Sequence, residues 1–310
     1  MKLSGFRQFV LGGWVAAIVA GCGGSMPPIG APGTMSGQSV DGARSMQLLY
    51  VAENTLGRVD VYDARKPANG PIAKITDGVN SPVGLCIDGN GVLYVLNVDT
   101  NSISEYEPGK TKPFQTISKG LDFPEFCAID HRGNLWVTNL GGNNVTEYKS
   151  GATTPSGTII NGVSLPTGIA LDRSGNLYVA GLNAEEAYVA VFSKGGKSPS
   201  RTITDGVVDP DGIAVDAKGT LYVTNLVTAT GSSGDVAEYK AGQSQPYQAI
   251  TGMSAPTDVI VNKAGYAYVS ESATPAVVVF KAGSTEPWRE FQQGMNSPAG
   301  IAYYVGTPPR

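Results

Sequence analysis

The sequence predicts an all-β protein folded as a six-bladed β-propeller, and three observations predict it. The chain of 310 residues contains 41 Gly and 20 Pro but only 15% charged residues, which disfavours long helices and favours short strands with tight turns. An aromatic residue followed by Val recurs at intervals of 42–46 residues. A proline that opens an apolar run recurs at the same intervals. Two separate markers with one period predict a repeat architecture.

The markers define six repeats. The aromatic–Val pairs begin at Tyr50, Tyr94, Trp136, Tyr178, Tyr222 and Tyr268. The prolines are Pro82, Pro124, Pro166, Pro210, Pro256 and Pro298. Each proline opens an inner strand, a turn with Asp and Gly leads to the aromatic strand, and two further strands follow. Four strands in about 43 residues form one propeller blade.

The two ends of the repeat region predict how the ring closes. The region begins with a second-type strand at 48–51 and ends with a first-type strand at 300–304. One strand from the end and three from the start complete a sixth blade. This pairing closes the ring and removes two exposed sheet edges. The propeller is therefore predicted over 46–305, followed by a short tail at 306–310.

The residues before the repeats are predicted to be a signal peptide and a flexible tether. Lys2 and Arg7 precede an apolar run at 9–20, which is typical of a secretory signal peptide at 1–21. Residues 22–45 are rich in Gly, Pro and Ser without apolar periodicity, which predicts a flexible tether.

The segment Val19-Ala20-Gly21-Cys22 resembles the lipobox of bacterial lipoproteins. This resemblance implies that Cys22 is lipidated and anchors the protein to a membrane. Gly23 stands where an Asp would mark inner-membrane retention, so the resemblance implies the outer membrane, facing the periplasm or the exterior. The alternative is an ordinary secretory signal with an incidental Cys.

The repeats themselves resemble a known superfamily. Their pattern P-x-G-[IL]-A-x-D…G-x-L-Y-V-x-N is similar to that of the NHL-repeat and gluconolactonase-like six-bladed propellers. It also resembles the streptogramin lyase repeats, which occur in seven-bladed rings. In such propellers ligands bind at one face, near the central channel.

Two sets of residues are candidates for such a site. The residue after each proline, and the last residue of each aromatic strand, are expected at the channel mouth where the inner strands begin. The candidate ligand-binding residues are Glu125, Thr167, Asp211, Thr257, Asn97, Asn139 and Asn225.

The resemblance to gluconolactonases also implies a metal site. In those enzymes carboxylates and asparagines hold a divalent cation in the channel, and Pro210-Asp211-Gly212 resembles one of the segments that supply a ligand. Glu125 and Asp211 are therefore the candidate ligands of Ca²⁺ or another divalent cation. The alternative is that both are solvated carboxylates at the rim.

Charge and composition disfavour several other functions. The formal net charge is −4 and the sequence contains no cluster of Lys and Arg, so no nucleic-acid footprint is predicted. One His and three Cys leave little material for a His-rich metal site or a disulfide framework. Aligned by their prolines, Cys86 and Cys127 fall on opposite faces of adjacent inner strands. We therefore expect two free thiols rather than a disulfide.

Two functions remain. The first is a tethered, non-catalytic binding or scaffolding module that needs no cofactor, acts as a monomer and takes an unknown protein or small-molecule ligand at its channel mouth or rim. The second is a divalent-metal-dependent hydrolase of the gluconolactonase type. The intact repeats and the small number of catalytic side chains favour the first.

Overall fold

The computed structural model describes residues 45–228, 231 and 233–306. The predicted signal peptide, the lipidated Cys22, all but the last residue of the predicted tether and the last four residues of the chain lie outside this part. The described residues form 24 strands in six antiparallel sheets of four and no helix. The predicted fold class is confirmed.

The six sheets are the blades, numbered in chain order. Blade 1 contains β1 (Met46–Glu53), β2 (Arg58–Asp63), β3 (Ala73–Ile75) and the last strand of the chain, β24 (Pro298–Gly306). Blade 2 contains β4 (Pro82–Ile87), β5 (Leu93–Asn97), β6 (Ser102–Tyr106) and β7 (Gln115–Ile117). Blade 3 contains β8 (Pro124–Ile129), β9 (Leu135–Asn139), β10 (Asn144–Tyr148) and β11 (Gly157–Ile159).

The remaining blades repeat the order. Blade 4 contains β12 (Pro166–Leu171), β13 (Leu177–Leu182), β14 (Ala187–Phe192) and β15 (Arg201–Ile203). Blade 5 contains β16 (Pro210–Val215), β17 (Leu221–Asn225), β18 (Gly234–Tyr239) and β19 (Gln248–Met253). Blade 6 contains β20 (Pro256–Val261), β21 (Ala267–Glu271), β22 (Ala276–Phe280) and β23 (Pro287–Phe291).

The ring closes as the sequence predicts. β24 pairs antiparallel with β1, from Met46 opposite Gly306 to Glu53 opposite Pro298. The same strand packs against β4 on one side and β20 on the other. Each inner strand thus contacts two neighbours, and the series of six is continuous.

The turn after each inner strand explains the recurring Asp. In blade 3, Asp130 Oδ1 accepts the backbone N–H groups of Arg132 and Asn134 at 2.8 and 3.0 Å. Gly133 adopts a φ of +79°, which favours glycine. These bonds reverse the chain and fix the hairpin between the inner and second strands.

The glycine of the P-x-G pattern allows the inner strands to approach each other closely. A Cβ on Gly84 would lie 2.3 Å from the carbonyl oxygen of Glu125 in the next blade. A Cβ on Gly300 would lie 2.2 Å from the carbonyl oxygen of Val83. Backbone therefore packs directly on backbone around the channel, and the hydrophobic core fills the space between blades farther out.

The expectation of two free thiols is wrong, because Cys86 and Cys127 form a disulfide whose Cα atoms are 5.9 Å apart. The two residues do lie out of phase on β4 and β8. However, these strands belong to different blades that pack face to face rather than to one sheet. Side chains on opposite faces of neighbouring blades point toward each other, so the phase difference brings the sulfurs together.

Candidate functional site

The inner strands define two faces of the ring. They begin at the six prolines, and we call this side the proline face. They end at the Asp-containing turns, for example 88–91 and 262–265, and we call this side the hairpin face. The central channel runs from one face to the other, and the inner strands form its wall.

The two predicted threonines lie between neighbouring blades. Thr167 is buried, and its hydroxyl donates to the carbonyl oxygen of Pro210 at 2.9 Å. The hydroxyl of Thr257 lies 2.9 Å from the Ser270 Oγ and donates to the carbonyl oxygen of Ala299 at 3.1 Å. Both hydroxyls thus link one inner strand to the next at the start of the channel.

The two predicted metal ligands are half-buried at the proline face. Glu125 lies on β8 and Asp211 on β16, and the inner strand β12 lies between them. No group of three His, Cys, Asp or Glu side chains that could hold a metal ion occurs in the described part of the chain. The arrangement gives no support to the cation site that the resemblance implies, and binding at these two residues stays a prediction.

The three predicted asparagines are buried and hold the loops that connect blades. Asn139 shows the pattern: its Oδ1 accepts the N–H of Asp122 at 3.1 Å and its Nδ2 donates to Thr146 Oγ1 at 2.9 Å. Asn97 and Asn225 make the equivalent contacts in blades 2 and 5. Their amide groups are therefore engaged within the fold, and ligand binding by them stays a prediction.

Blade 1 replaces this asparagine by a carboxylate, Glu53. Its Oε2 accepts the N–H groups of Asn296 and Ser297, both at 2.9 Å, and so fixes the segment before β24. Its Oε1 is buried and, within the described residues, has no hydrogen-bond partner. The nearby Asp60 is also buried and is paired with Arg58 at 2.8 Å. Burial, more than the neighbouring Asp60 charge, raises the pKa of Glu53.

The channel contains a cavity of about 770 Å³ in its hairpin-face half. All six inner strands contribute to its wall. None of the six residues that follow the prolines lines this cavity. The resemblance leads one to expect a ligand site at the proline face, whereas this space opens at the other face.

Small side chains in the repeat create this space. The fourth residue after each proline lines the cavity, and five of the six are Cys or Ala: Cys86, Ala128, Ala170, Ala214, Ile260 and Ala302. The next residue is larger and apolar in most blades, as Ile87, Leu171 and Val215 illustrate. Polar side chains, including those of Asn262 and Lys263, surround the opening. The walls can therefore accept an apolar molecule and the rim a polar group.

One carboxyl group lies deep in this wall. Asp258 occupies the position that is glycine in four other blades, and only 4% of it is exposed. Its Oδ1 accepts the N–H of Val259 at 2.8 Å, and its Oδ2 accepts the N–H of Ile301 in β24 at 2.9 Å. Burial raises the pKa of Asp258 to about 8, although the two backbone hydrogen bonds lower it.

Asp258 is not among the predicted site residues. The available signal was the departure of Pro256-Thr257-Asp258 from the P-x-G pattern. Asp258 lines the cavity, whereas none of the predicted site residues at the proline face does. The fold therefore does not bring Asp258 and the predicted residues into one site.

Comparisons with known proteins identify the fold. No family model matches the chain, and no curated protein sequence matches it. A chain of the crystal structure of a nidogen/laminin complex matches 83% of this chain and 98% of its own length, with a TM-score of 0.68 and 20% identity. A protein of unknown function from Bacteroides caccae matches 84% of this chain and 99% of its own, with a TM-score of 0.64 and 11% identity.

These neighbours support the β-propeller architecture. Within the described ranges, the chain forms no helix that is long and apolar enough to cross a bilayer.

Proposed function

We propose that the protein is a non-catalytic binding module that holds a small, elongated, apolar molecule in its central channel. The cavity in the hairpin-face half of the channel carries this proposal. Its volume of about 770 Å³ lies within the range of small-molecule sites, about 300–1,000 Å³, and its walls are mainly aliphatic.

The chemistry of the wall determines the class of ligand. Binding of an apolar ligand against aliphatic side chains removes apolar surface from water and is favourable in free energy. The same side chains cannot pair with a charged group of a ligand, so burial of that group would be unfavourable. Asp258 does not oppose this at neutral pH, because its raised pKa keeps the carboxyl group mostly protonated. The polar rim, which includes Asp88, Asn262 and Lys263, favours a ligand with one polar end.

The cellular location belongs to the same proposal. The lipobox-like segment that ends at Cys22 supports a propeller that is tethered in the cell envelope. A Cys22→Ser variant should then be recovered in the soluble fraction. Retention of this variant in the membrane fraction would contradict the lipid anchor without affecting the binding proposal.

A fluorescence titration with N-phenyl-1-naphthylamine tests the binding site. This neutral probe fluoresces in apolar surroundings, and we expect saturable binding to the full chain. Val215→Asp places a charge in the wall of the cavity at a half-buried position and should weaken binding at least about tenfold. Ile160→Asp is the matched control, because Ile160 is exposed and outside the cavity.

Thermal melts of both variants identify any loss of folding. If Val215→Asp unfolds the protein, Val261→Asp repeats the test from another blade. Absence of saturable binding to the unaltered chain, or equal binding by the cavity variant and the control, would refute the proposal. The hydrolase alternative is not favoured by any feature of the described residues.

A further inference from the structure

The fold gathers dispersed basic residues on the hairpin face. Thirteen exposed Lys and Arg residues lie in or beside its turns: Arg65, Lys66, Lys110, Lys112, Arg132, Lys149, Arg173, Lys194, Lys197, Lys218, Lys240, Lys263 and Lys281. Eight acidic residues accompany them: Asp63, Asp88, Glu107, Asp130, Glu147, Asp172, Asp216 and Glu286. Asp63 is paired with Arg65 and Lys66, and Glu147 with Lys149. This face is therefore positively charged although the chain as a whole is acidic.

The proline face has the opposite charge. Its loops and strand starts carry nine solvent-accessible acidic residues: Asp77, Asp99, Asp122, Glu125, Glu185, Glu186, Asp205, Asp209 and Asp211. Arg58 at the start of β2 and Lys119 are the basic residues of the described part of this face, and Arg58 is paired with the buried Asp60. By this count of charged residues the proline face is net negative and the hairpin face net positive.

Two sets of turns form the hairpin face. One set follows the inner strands and the other joins the third strand of each blade to the fourth. The two sets are in contact: a Cβ on Gly219 would lie 3.0 Å from the Ala241 Cβ, and a Cβ on Gly265 would lie 3.1 Å from the Ala282 Cβ. Lys240 and Lys281, which precede these alanines, therefore belong to the same surface as Lys218 and Lys263 near the channel.

Exposed apolar side chains lie at the edge of this face. In four consecutive blades, 5, 6, 1 and 2, a proline followed by a large apolar residue lies at or directly before the start of the outer strand. These residues are Tyr247, Trp288, Ile72 and Phe114, between 38% and 60% exposed. Blades 3 and 4 carry Ser156 and Ser200 at the same position. The exposed apolar residues are therefore not a requirement of the repeat.

The apolar and basic side chains of this edge are in contact. Lys240 Nζ lies 5.1 Å from the centre of the Tyr247 ring. Lys281 Nζ lies 5.3 Å, and the Arg289 Cζ 3.5 Å, from the centre of the Trp288 ring. Aromatic rings beside flexible cations are the combination that proteins use at the headgroup level of a membrane.

We infer that the hairpin face docks on the surface of a bilayer that contains anionic phospholipids. The cations interact with the headgroups, and Phe114, Ile72, Tyr247 and Trp288 enter the interface between headgroups and acyl chains. Charge complementarity alone would also suit an acidic protein. The aromatic and aliphatic side chains beside the cations favour a bilayer, because headgroups and acyl chains satisfy both at once. This inference does not depend on ligand binding in the channel.

Vesicle co-sedimentation of the full chain tests the inference. The vesicles are phosphatidylcholine with or without about 30% phosphatidylglycerol, at about 0.02 M and about 0.5 M salt. We expect stronger binding to the anionic vesicles, with the difference lost at high salt. The N-terminal apolar run at 9–20 is common to all forms, so differences between variants report on the propeller.

Two double variants with equal charge change locate the binding surface. Lys240→Gln with Lys281→Gln should lower partitioning to anionic vesicles by about 25-fold, roughly fivefold for each cation removed. Lys74→Gln with Lys119→Gln removes two exposed cations from the middle of an outer strand and from the proline face. This control pair should change partitioning by less than about twofold.

Phe114→Ser tests the apolar contribution, because it installs the residue that blades 3 and 4 carry naturally. We expect a roughly tenfold weaker partitioning with an unchanged thermal melt. Equal binding to both kinds of vesicle, no binding, or equal loss in the two double variants would overturn the inference. If the unaltered chain self-associates without binding vesicles, and the Lys240 and Lys281 double variant does not self-associate, the hairpin face instead binds the proline face of a second copy. Binding to heparin without vesicle binding would assign it to a soluble polyanion.

Discussion

Substitution of Asp258 by Asn should change how stability depends on pH. In the folded protein, burial raises the pKa of this carboxyl group to about 8, whereas an unfolded Asp has a pKa of about 3.9. Between these values the folded state binds one proton more than the unfolded state. A group of this kind destabilises the folded state progressively as the pH rises through the interval.

The size of the effect follows from linkage. One additional bound proton gives a slope of about −1.4 kcal/mol in the free energy of unfolding for each pH unit. The amide of the Asp258→Asn variant does not titrate, so this variant should gain about 2.7 kcal/mol relative to the unaltered chain between about pH 5 and about pH 7. An amide has one acceptor oxygen for the two N–H groups of Val259 and Ile301, so the variant can be less stable at every pH. The change with pH is independent of that offset.

Urea denaturation at several pH values, with the disulfide kept oxidised, measures this difference. Asp205→Asn is the control, because it removes an exposed carboxyl group of the proline face. Other carboxyl groups with raised pKa values, such as those of Glu105 and Glu271, affect all forms alike and cancel in the comparison. A constant difference between the Asp258→Asn variant and the unaltered chain across this range would refute the reasoning.

Three further sets of substitutions test the fold. Glu53→Gln keeps an acceptor for the backbone of the segment before β24 and removes the charge of a buried carboxyl group, so chemical denaturation at neutral pH should show a gain of about 1 kcal/mol, whereas Glu53→Ala, which removes the acceptor, should lose about 2–3 kcal/mol. A gain with Ala would contradict this. Gly84→Ala places a Cβ 2.3 Å from a carbonyl oxygen of the next blade and should cost about 3 kcal/mol, whereas Gly89→Ala meets nothing within 4 Å and should cost under about 1 kcal/mol in the same assay. Equal costs would exclude the close approach of the inner strands. Cys86→Ala with Cys127→Ala opens a link between residues 41 apart and should cost about 4 kcal/mol, measured as a lower urea midpoint; unchanged stability under oxidising conditions would show that the link does not constrain the chain.

The architecture could be predicted from the sequence because the markers belong to single blades. The prolines and the aromatic–Val pairs each occur once per repeat, so their number equals the number of blades. The incomplete repeats at 48–51 and 300–304 predict the pairing of β24 with β1, which is confirmed. Each of these inferences needs only the order of strands along the chain.

The disulfide could not be predicted from the same pattern. Opposite phase along two strands argues against a disulfide only when the strands share a sheet, and β4 and β8 lie in different sheets. Neighbouring blades instead pack face to face, and the facing surfaces carry side chains of opposite phase. Strand order gives the sheets, but contacts between sheets depend on how they are stacked.

The difference in charge between the hairpin face and the proline face could not be predicted from the sequence for a similar reason. Lys149, Lys194, Lys240 and Lys281 are 41–46 residues apart in sequence and form no cluster there. Each occupies the turn between the third and fourth strands of its blade, and the ring brings these turns to one side. The small residue at the fourth position after each proline was likewise part of the recognised pattern, but only the closed ring turns it into a cavity.

Two buried carboxyl groups bind the strand that closes the ring and the segment before it. β24 is held in blade 1 without a short connection along the chain, so its register depends on noncovalent contacts. Asp258, which lies in blade 6, accepts the N–H of Ile301 in β24. Glu53, which lies in β1, accepts the N–H groups of Asn296 and Ser297. In the other blades the equivalent positions are mostly Gly and Asn. Without Asp258 the N–H of Ile301 would be buried without this acceptor, and without Glu53 the N–H groups of Asn296 and Ser297 would lose theirs. Because an unsatisfied buried donor costs about 1–3 kcal/mol, the two carboxyl groups stabilise the closing strand and the segment before it in their observed positions.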